Sequence, residues 1–378
     1  MRRPRILAPK GHKTAFYHCV SRVVNREFVL GEAEKEQFVS YMRLYERLYG
    51  LRVVAYCIMS NHFHVLVEVP KRPETEELWS NEKLVAHVRR HLGDIPANEL
   101  AADFKQFAEC ENLKGIEELR ERWFGRMWNV STYMKVLKQR FTQWFNKKHG
   151  RRGTLWEDRF RSVLVQSESH ALRAMAAYID LNPVRAGICD DPKDYRWCGY
   201  GEALGSKKAK RAREAVIYLA SLSSQGGMKH VSLRPRTMRQ GLEGWRRFLY
   251  GVPEGEPALE AQQEHIRKGQ EKTTNQERPP LELHEITHRR GVSREKALEI
   301  LENGGRLSEV EYLHCRVRYF CDGAAMGGKA FVEEIFTENR EKFGKMRKEE
   351  AKLVRSLTLK KPEERLYNLR NLRKDVFS

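Results

Sequence analysis

The chain has 378 residues, 70 of them Lys or Arg and 51 Asp or Glu, for a formal net charge of +19 at pH 7. A 40% apolar fraction supports real cores and excludes a wholly disordered chain, and the length points to two or three domains. No apolar run approaches the roughly 18 to 20 residues of a membrane span, and the basic start MRRPRILAPKGHK has no apolar stretch behind it, which argues against a secretory signal. So large a positive excess has a polyanion as its usual counterpart. The expected partner is nucleic acid, the expected place the cytoplasm near the nucleoid, with no membrane association. The seven cysteines are scattered without a C-x-x-C pair, so neither a zinc finger nor a disulfide framework is indicated.

In chain order, FYHCVSR (16–22) alternates like a strand. Residues 34–49 place Phe38, Met42, Tyr45 and Leu48 at helical spacing, closed by Gly50. LRVVAYCIM (51–59) and HFHVLVEV (62–69) read as two strands joined by Ser60-Asn61, a hairpin. Residues 71–128 are charged and mostly helical, an insert. Residues 131–148 form a strong helix, TLWEDRFRSVLVQ (154–166) a fourth strand, and 169–181 a helix stopped at Asn182-Pro183. This order predicts an α+β fold with a mainly antiparallel sheet.

Beyond residue 205 the texture changes. We divide the chain into 1–205, a basic linker with helices at 206–280, a small helical domain at 281–343 and a charged tail at 344–378. HRRGVSREKALEI (288–300) has the look of the middle of a helix-turn-helix. HEITH (284–288) matches the H-E-x-x-H zinc-protease pattern. However, Gly291 ends that helix at once and no third ligand follows, so the match is read as accidental.

The strand at 62–69 carries the most information. Alternate side chains share a face, so Phe63, Val65, Val67 and Val69 enter a core while His62, His64, Leu66 and Glu68 face the other way. The two histidine α-carbons are then ~7 Å apart, close enough for both rings to converge on one divalent ion. On the helix HALRAMAAYIDLNPVRAG (170–187), Tyr178 and Asn182 lie one turn apart at the edge of the apolar stripe.

These pieces together resemble a known family. YHCVSR (17–22), MSNHFHVLVEV (59–69), TLWEDRFRS (154–162), YIDLNPVRAG (178–187) and DYRWCGY (194–200) are similar, in order and spacing, to the IS200-like transposases of the HUH nuclease group. The likeness is strongest to the REP-associated tyrosine transposases and covers about residues 14–200. It implies a ferredoxin-like antiparallel sheet with helices on one face, followed here by a mostly helical C-terminal region. It also implies Tyr178 as nucleophile, His62 and His64 as metal ligands, and Asn182 at the polar position that completes the metal site. Relatives carry glutamine at that last position, so direct ligation by the shorter asparagine stays open.

The chemistry needs these groups. A divalent ion, Mg²⁺ or Mn²⁺, polarises a phosphodiester, and a tyrosine phenol forms a covalent 5′-phosphotyrosine while a 3′-OH leaves. The resemblance implies single-stranded DNA near a hairpin or repeat as substrate, and either a monomer or a homodimer. Arg22, Lys138, Arg140, Lys147, Lys148, Arg151, Arg152, Arg159, Arg161 and Arg185 are the candidate DNA contacts, with Trp144, Trp156 and Phe160 among them for stacking or for core. The competing reading is a non-catalytic DNA-binding regulator derived from such an enzyme. The replication-initiator and relaxase branches of the group are a further alternative.

Overall fold

In the computed structural model the described residues are 5–9, 11–74, 78–167, 169–205, 209–222 and 235–251, and beyond them 307–308, 313–314, 319–343, 351–354, 357–358 and 365–370. The HEITH and helix-turn-helix segments lie outside them.

The strands are β1 (Thr14–Arg22), β2 (Arg52–Ile58), β3 (His62–Pro70), β4 (Arg161–Val165), β5 (Leu307–Ser308), β6 (Gly323–Gly327), β7 (Lys352–Leu353), β8 (Leu357–Thr358) and β9 (Tyr367–Arg370). Seven of them form one sheet in the order β2-β3-β1-β4-β6-β9-β7. The β2-β3 hairpin, β1 and β4 pair antiparallel, whereas β6 joins β4 in parallel. The main helices are α1 (Glu32–Leu48), α2 (Asn81–Leu92), α3 (Asp94–Glu109), α4 (Leu113–Phe124), α5 (Val130–Lys148), α6 (His170–Asp180), α7 (Asn182–Arg185), α8 (Gly199–Gly205), α9 (Lys210–Ser221) and α10 (Pro235–Tyr250). Two more follow, α11 (Tyr319–Asp322) and α12 (Lys329–Glu338). Among the described residues no helix is long and apolar enough to cross a membrane.

Local chemistry explains the boundaries near the site. The Asn129 side chain accepts from the Ser131 and Thr132 amides and opens α5; Ser169 caps α6 in the same way. After α1 the chain turns through Gly50 at φ 65, and a Cβ there would lie 2.9 Å from Trp128 Nε1, so glycine is needed for both conformation and space.

The α+β class agrees with the sequence reading, but three details differ. Helices cover both faces of the sheet rather than one. α1 and α5 lie over the Phe63 side, where Phe38 and Phe63 centroids are 4.6 Å apart and Phe38 and Phe141 5.1 Å. α6 and α9 lie over the opposite side, with Phe16 stacked on Tyr218. The reason is β3 itself, whose two faces are both buried from Phe63 to Val67, so each needs a cover. Second, the C-terminal region is not simply helical. β6, β9 and β7 extend the sheet past β4 and make it mixed; otherwise the bonding edge of β4 would be unpaired. Third, the fourth strand spans only Arg161–Val165. Upstream, the Trp156 ring turns into the core against Phe63 at 5.3 Å, and the chain meets the sheet through an isolated bridge to Val23. The described part of the insert at 71–128 holds α2, α3 and α4; α2 packs on α1, α3 on α2 and α4 on α3.

Candidate active site on the histidine face

The register puts Phe16, His18, Val20 and Arg22 of β1 on the same face as Glu68, Leu66, His64 and His62 of β3. The H-x-H motif puts two histidines on this face, and β1 adds a third. His62 and His64 have ring centroids 5.1 Å apart, and His18 stacks on His64, also at 5.1 Å. His18 Nε2 and His64 Nδ1 are 2.9 Å apart, and His18 Nδ1 lies 2.7 Å from the Phe320 carbonyl oxygen. His62 Nδ1 lies 2.6 Å from Asn61 Oδ1.

Burial governs their charge. His18 is fully buried, which lowers its pKa to about 4; Arg185 pushes the same way and the Phe320 carbonyl opposes. His64 is held well below the ordinary histidine value, by burial first and then by His18, His62, Arg185 and Arg22. Both rings are therefore neutral near pH 7, the form that binds metals.

Tyr178 stands over these rings. Its centroid is 6.3 Å from that of His64, edge to face, and the residue is 3% exposed. The Phe320 ring stacks on it at 4.5 Å, and the Arg185 guanidinium lies 3.9 Å from its centroid. The phenol oxygen is 3.5 Å from Cys321 Sγ. Arg185 is oriented by two backbone carbonyls, donating to Tyr178 O at 2.6 Å and Leu313 O at 2.8 Å. Asn182 turns its amide nitrogen back on α6, donating to the Ile179 and Tyr178 carbonyls at 3.1 and 3.3 Å. Only its Oδ1 has the chemistry of a ligand.

The other basic candidates are spread out. Arg22 is opposite His62 in the β1-β3 register. Arg161 pairs with Asp322 of α11 at 2.9 Å. Lys138 donates to Asp158 O, and burial lowers its ammonium to about 8 against the pull of Asp158. Lys148 pairs with Glu34, and Arg151 lies over Phe145. Arg140 neighbours Tyr45 and Tyr49 on the far side of the sheet from Tyr178. Lys147, Arg152 and Arg159 are exposed. Trp156 belongs to the core at 6% exposure, while Trp144 and Phe160 are partly buried against it.

Sequence reading missed His18, Asn61, Phe320 and Cys321. His18 carried one signal, its place at even spacing from Arg22 on a strand facing β3. The two α11 residues carried none, because nothing local announces a contact across 143 residues.

Among the described residues no group of three or more His, Cys, Asp or Glu is arranged to hold a metal ion. A metal here would rest on two imidazoles plus amide, phosphate or water oxygens. That donor set suits a divalent cation, Mn²⁺ better than Mg²⁺.

Comparison with known proteins bears on the same residues. Residues 12–87, from β1 into α2, match the family model described as Transposase IS200 like. This stretch contains the histidine pair but ends before Tyr178. A solved structure of a REP-associated tyrosine transposase bound to a REP hairpin is similar at 14% identity and a TM-score of 0.34, over 54% of this chain and 86% of that one. No curated protein matches the chain. The paired histidines lie inside the stretch that matches the IS200-like transposase model, residues 12–87.

Proposed function

We propose that the protein is a metal-dependent endonuclease and strand transferase of single-stranded DNA, acting near hairpins through Tyr178. The observation that carries this reading is the Tyr178 ring beside His64, 6.3 Å between centroids, on a face that also holds His62. The excess of 19 positive charges supports a polyanionic substrate.

His62 and His64 would hold the ion, with Asn182 Oδ1, four residues past Tyr178, as a further oxygen donor. When bound, a divalent ion would polarise the scissile phosphate and orient it. The chain's own residues do the rest. α6 presents the Tyr178 phenol, whose oxygen attacks phosphorus; the P–O3′ bond breaks, the 3′ oxygen leaves as a hydroxyl, and the 5′-phosphate stays on the tyrosine. The phenol proton leaves to solvent, balancing the proton taken by the 3′ oxygen. Arg185, fixed by two carbonyls, keeps a positive charge against the ring as the phenol becomes phenolate. Since the phosphotyrosine conserves the bond energy, another 3′-OH can reverse the step on a new strand, and no nucleotide cofactor is needed. Cys321 and Phe320 cover the phenol, so phosphate reaches it only when α11 shifts.

The test is a covalent DNA adduct on hairpin-bearing single strands in Mn²⁺. We expect the adduct with the native chain and its loss, to background, in Tyr178→Phe and His64→Ala. Tight binding of the same strands with no adduct in the native chain would replace this reading with a DNA-binding regulator.

A further inference from the structure

Both imidazoles on β3 are gripped at the same nitrogen, and each grip ends on a backbone carbonyl. A carbonyl can only accept, so the direction of every hydrogen bond between it and the ring is determined. The Asn61 amide donates through Nδ2 to Arg26 O at 3.0 Å, which turns its Oδ1 toward His62 Nδ1 at 2.6 Å; His62 Nδ1 must carry the proton. His18 Nδ1 faces Phe320 O at 2.7 Å and must also carry a proton. The neutral His18 ring then has its lone pair on Nε2, which accepts from His64 Nδ1 at 2.9 Å.

We propose, building on the metal-dependent reading above, that Asn61 and His18 are positioning residues: two hydrogen-bond relays, Arg26 carbonyl to Asn61 to His62 and Phe320 carbonyl to His18 to His64, lock both rings in the tautomer whose lone pair is on Nε2. A ligating imidazole commonly has its other nitrogen held in this way, which fixes ring and tautomer before the ion arrives.

Two further features fit this role. The carbonyl that orients Asn61 belongs to Arg26, which sits with Asn25 in the left-handed region at φ 60 and 57. L-residues enter that region at a cost of roughly 1–2 kcal/mol each, and such strain gathers where a backbone atom must be aimed. The turn itself is held independently of the Asn61 side chain, by Val23 N to Asn61 O at 2.8 Å and Leu30 N to Ser60 O at 2.9 Å. The second relay brings the C-terminal region into the centre, because its anchor, Phe320, is 302 residues from His18.

The experiment uses the full chain with ¹⁵N-labelled histidine. Long-range ¹⁵N–¹H spectra of the metal-free protein report which ring nitrogen carries the proton, and Mn²⁺ titration reports affinity. The native chain should show His62 and His64 protonated at Nδ1. Asn61→Ala should release His62 to a tautomer mixture and weaken Mn²⁺ by about ten- to hundredfold. Asn61→Asp, whose carboxylate still accepts from Nδ1 but cannot donate to the Arg26 carbonyl, should restore the tautomer and part of the affinity. His18→Leu should do to His64 what Asn61→Ala does to His62. His18→Gln, an amide with a donor nitrogen and an acceptor oxygen, should recover it in part. Native-like circular dichroism is required of each variant; should His18→Leu not fold, the Asn61 pair decides the proposal. Unchanged tautomers, or Mn²⁺ binding within twofold of native, in Asn61→Ala overturn it. A native chain that binds no Mn²⁺ defeats the metal-dependent reading instead, and the spectra still decide the relays.

Discussion

The two faces of β3 are built from one strand and obey different rules. On one, Phe63 meets Phe38 and Trp156 at centroid distances of 4.6 and 5.3 Å, and Val65 and Val67 are fully buried beside it. Between these apolar side chains no contact needs a direction; area and fit suffice. On the other, His62 and His64 are held by hydrogen bonds whose polarity is set from outside the strand, by Asn61 and by His18. The first face is covered by neighbours that local periodicity announces. The second is completed by Phe320 and Cys321, far along the chain. Packing tolerates any apolar partner of the right volume, whereas a tautomer tolerates only a donor or acceptor in the right place. That difference is why the second face recruits distant and specific groups.

The largest effect should come from breaking the first face. Phe63→Ala removes a ring at 0% exposure and should cost about 3–5 kcal/mol of stability, read as a fall in the urea midpoint. Tyr178→Phe on the opposite face keeps the ring stacking and should cost no more than about 1.5 kcal/mol, the worth of a hydroxyl contact. Equal losses from the two variants would erase the distinction between the faces.

How much of this was legible in the sequence follows the same division. The period of two in HFHVLVEV assigned His62 to Val69 of β3 to their faces, and the apolar spacing of 34–49 and 131–148 gave α1 and α5 to within two residues. Tyr178 stands out in the sequence by its place at the edge of the helix stripe and by the motif YIDLNPVRAG, neither of which announces Phe320 or Cys321 beside it. What stayed hidden depends on sequence-distant pairing. GAAMG, the β6 strand, is five residues long with glycine at both ends and has no alternation to declare it a strand. Its place is set by pairing with β4 and β9. His18 was visible as a strand residue but its role depends on Phe320 O, and Asn61 read as a turn residue because turns favour asparagine for unrelated reasons.

A second, intermediate effect concerns Asp180 at the end of α6, where a polar group is buried under α8 and α10. Its oxygens accept from Tyr200 N at 3.2 Å and Trp245 Nε1 at 3.0 Å, yet burial raises its pKa to about 7, more than those donors lower it. A carboxyl raised on folding binds a proton in the folded chain that the unfolded chain has lost. Its contribution is complete below the unfolded value, 3.8, and fades as pH rises through about 7, with a slope of at most about 1.4 kcal/mol per pH unit. His18, lowered to about 4, acts oppositely, since its stabilisation is lost as pH falls below 6.5. The two slopes overlap, so the test is a difference. Urea midpoints from about pH 4.5 to 7 should decline less steeply with pH in Asp180→Asn than in the native chain. Parallel profiles would show that Asp180 is ionised throughout.

The smallest effect on stability should be the most informative about access to the Tyr178 phenol. Asp322, in the helix that covers Tyr178, pairs with Arg161 at 2.9 Å, and the two side chains are 39% and 68% exposed. An ion pair this open contributes about 1 kcal/mol or less, so Asp322→Asn should leave the urea midpoint nearly unchanged. The pair nevertheless ties α11 to β4. Loosening it should let Phe320 and Cys321 leave the phenol more often, and under the proposed mechanism a phosphate can come into line for attack by the phenol only while they are away. At saturating DNA, where any gain in binding from the lost acidic charge no longer counts, the single-turnover rate of adduct formation should therefore rise two- to fivefold, about 0.4–1 kcal/mol. A rate that rises only at subsaturating DNA would assign the effect to charge. A rate unchanged at saturation would mean that α11 already moves freely and that the barrier lies in the chemistry of the histidine face.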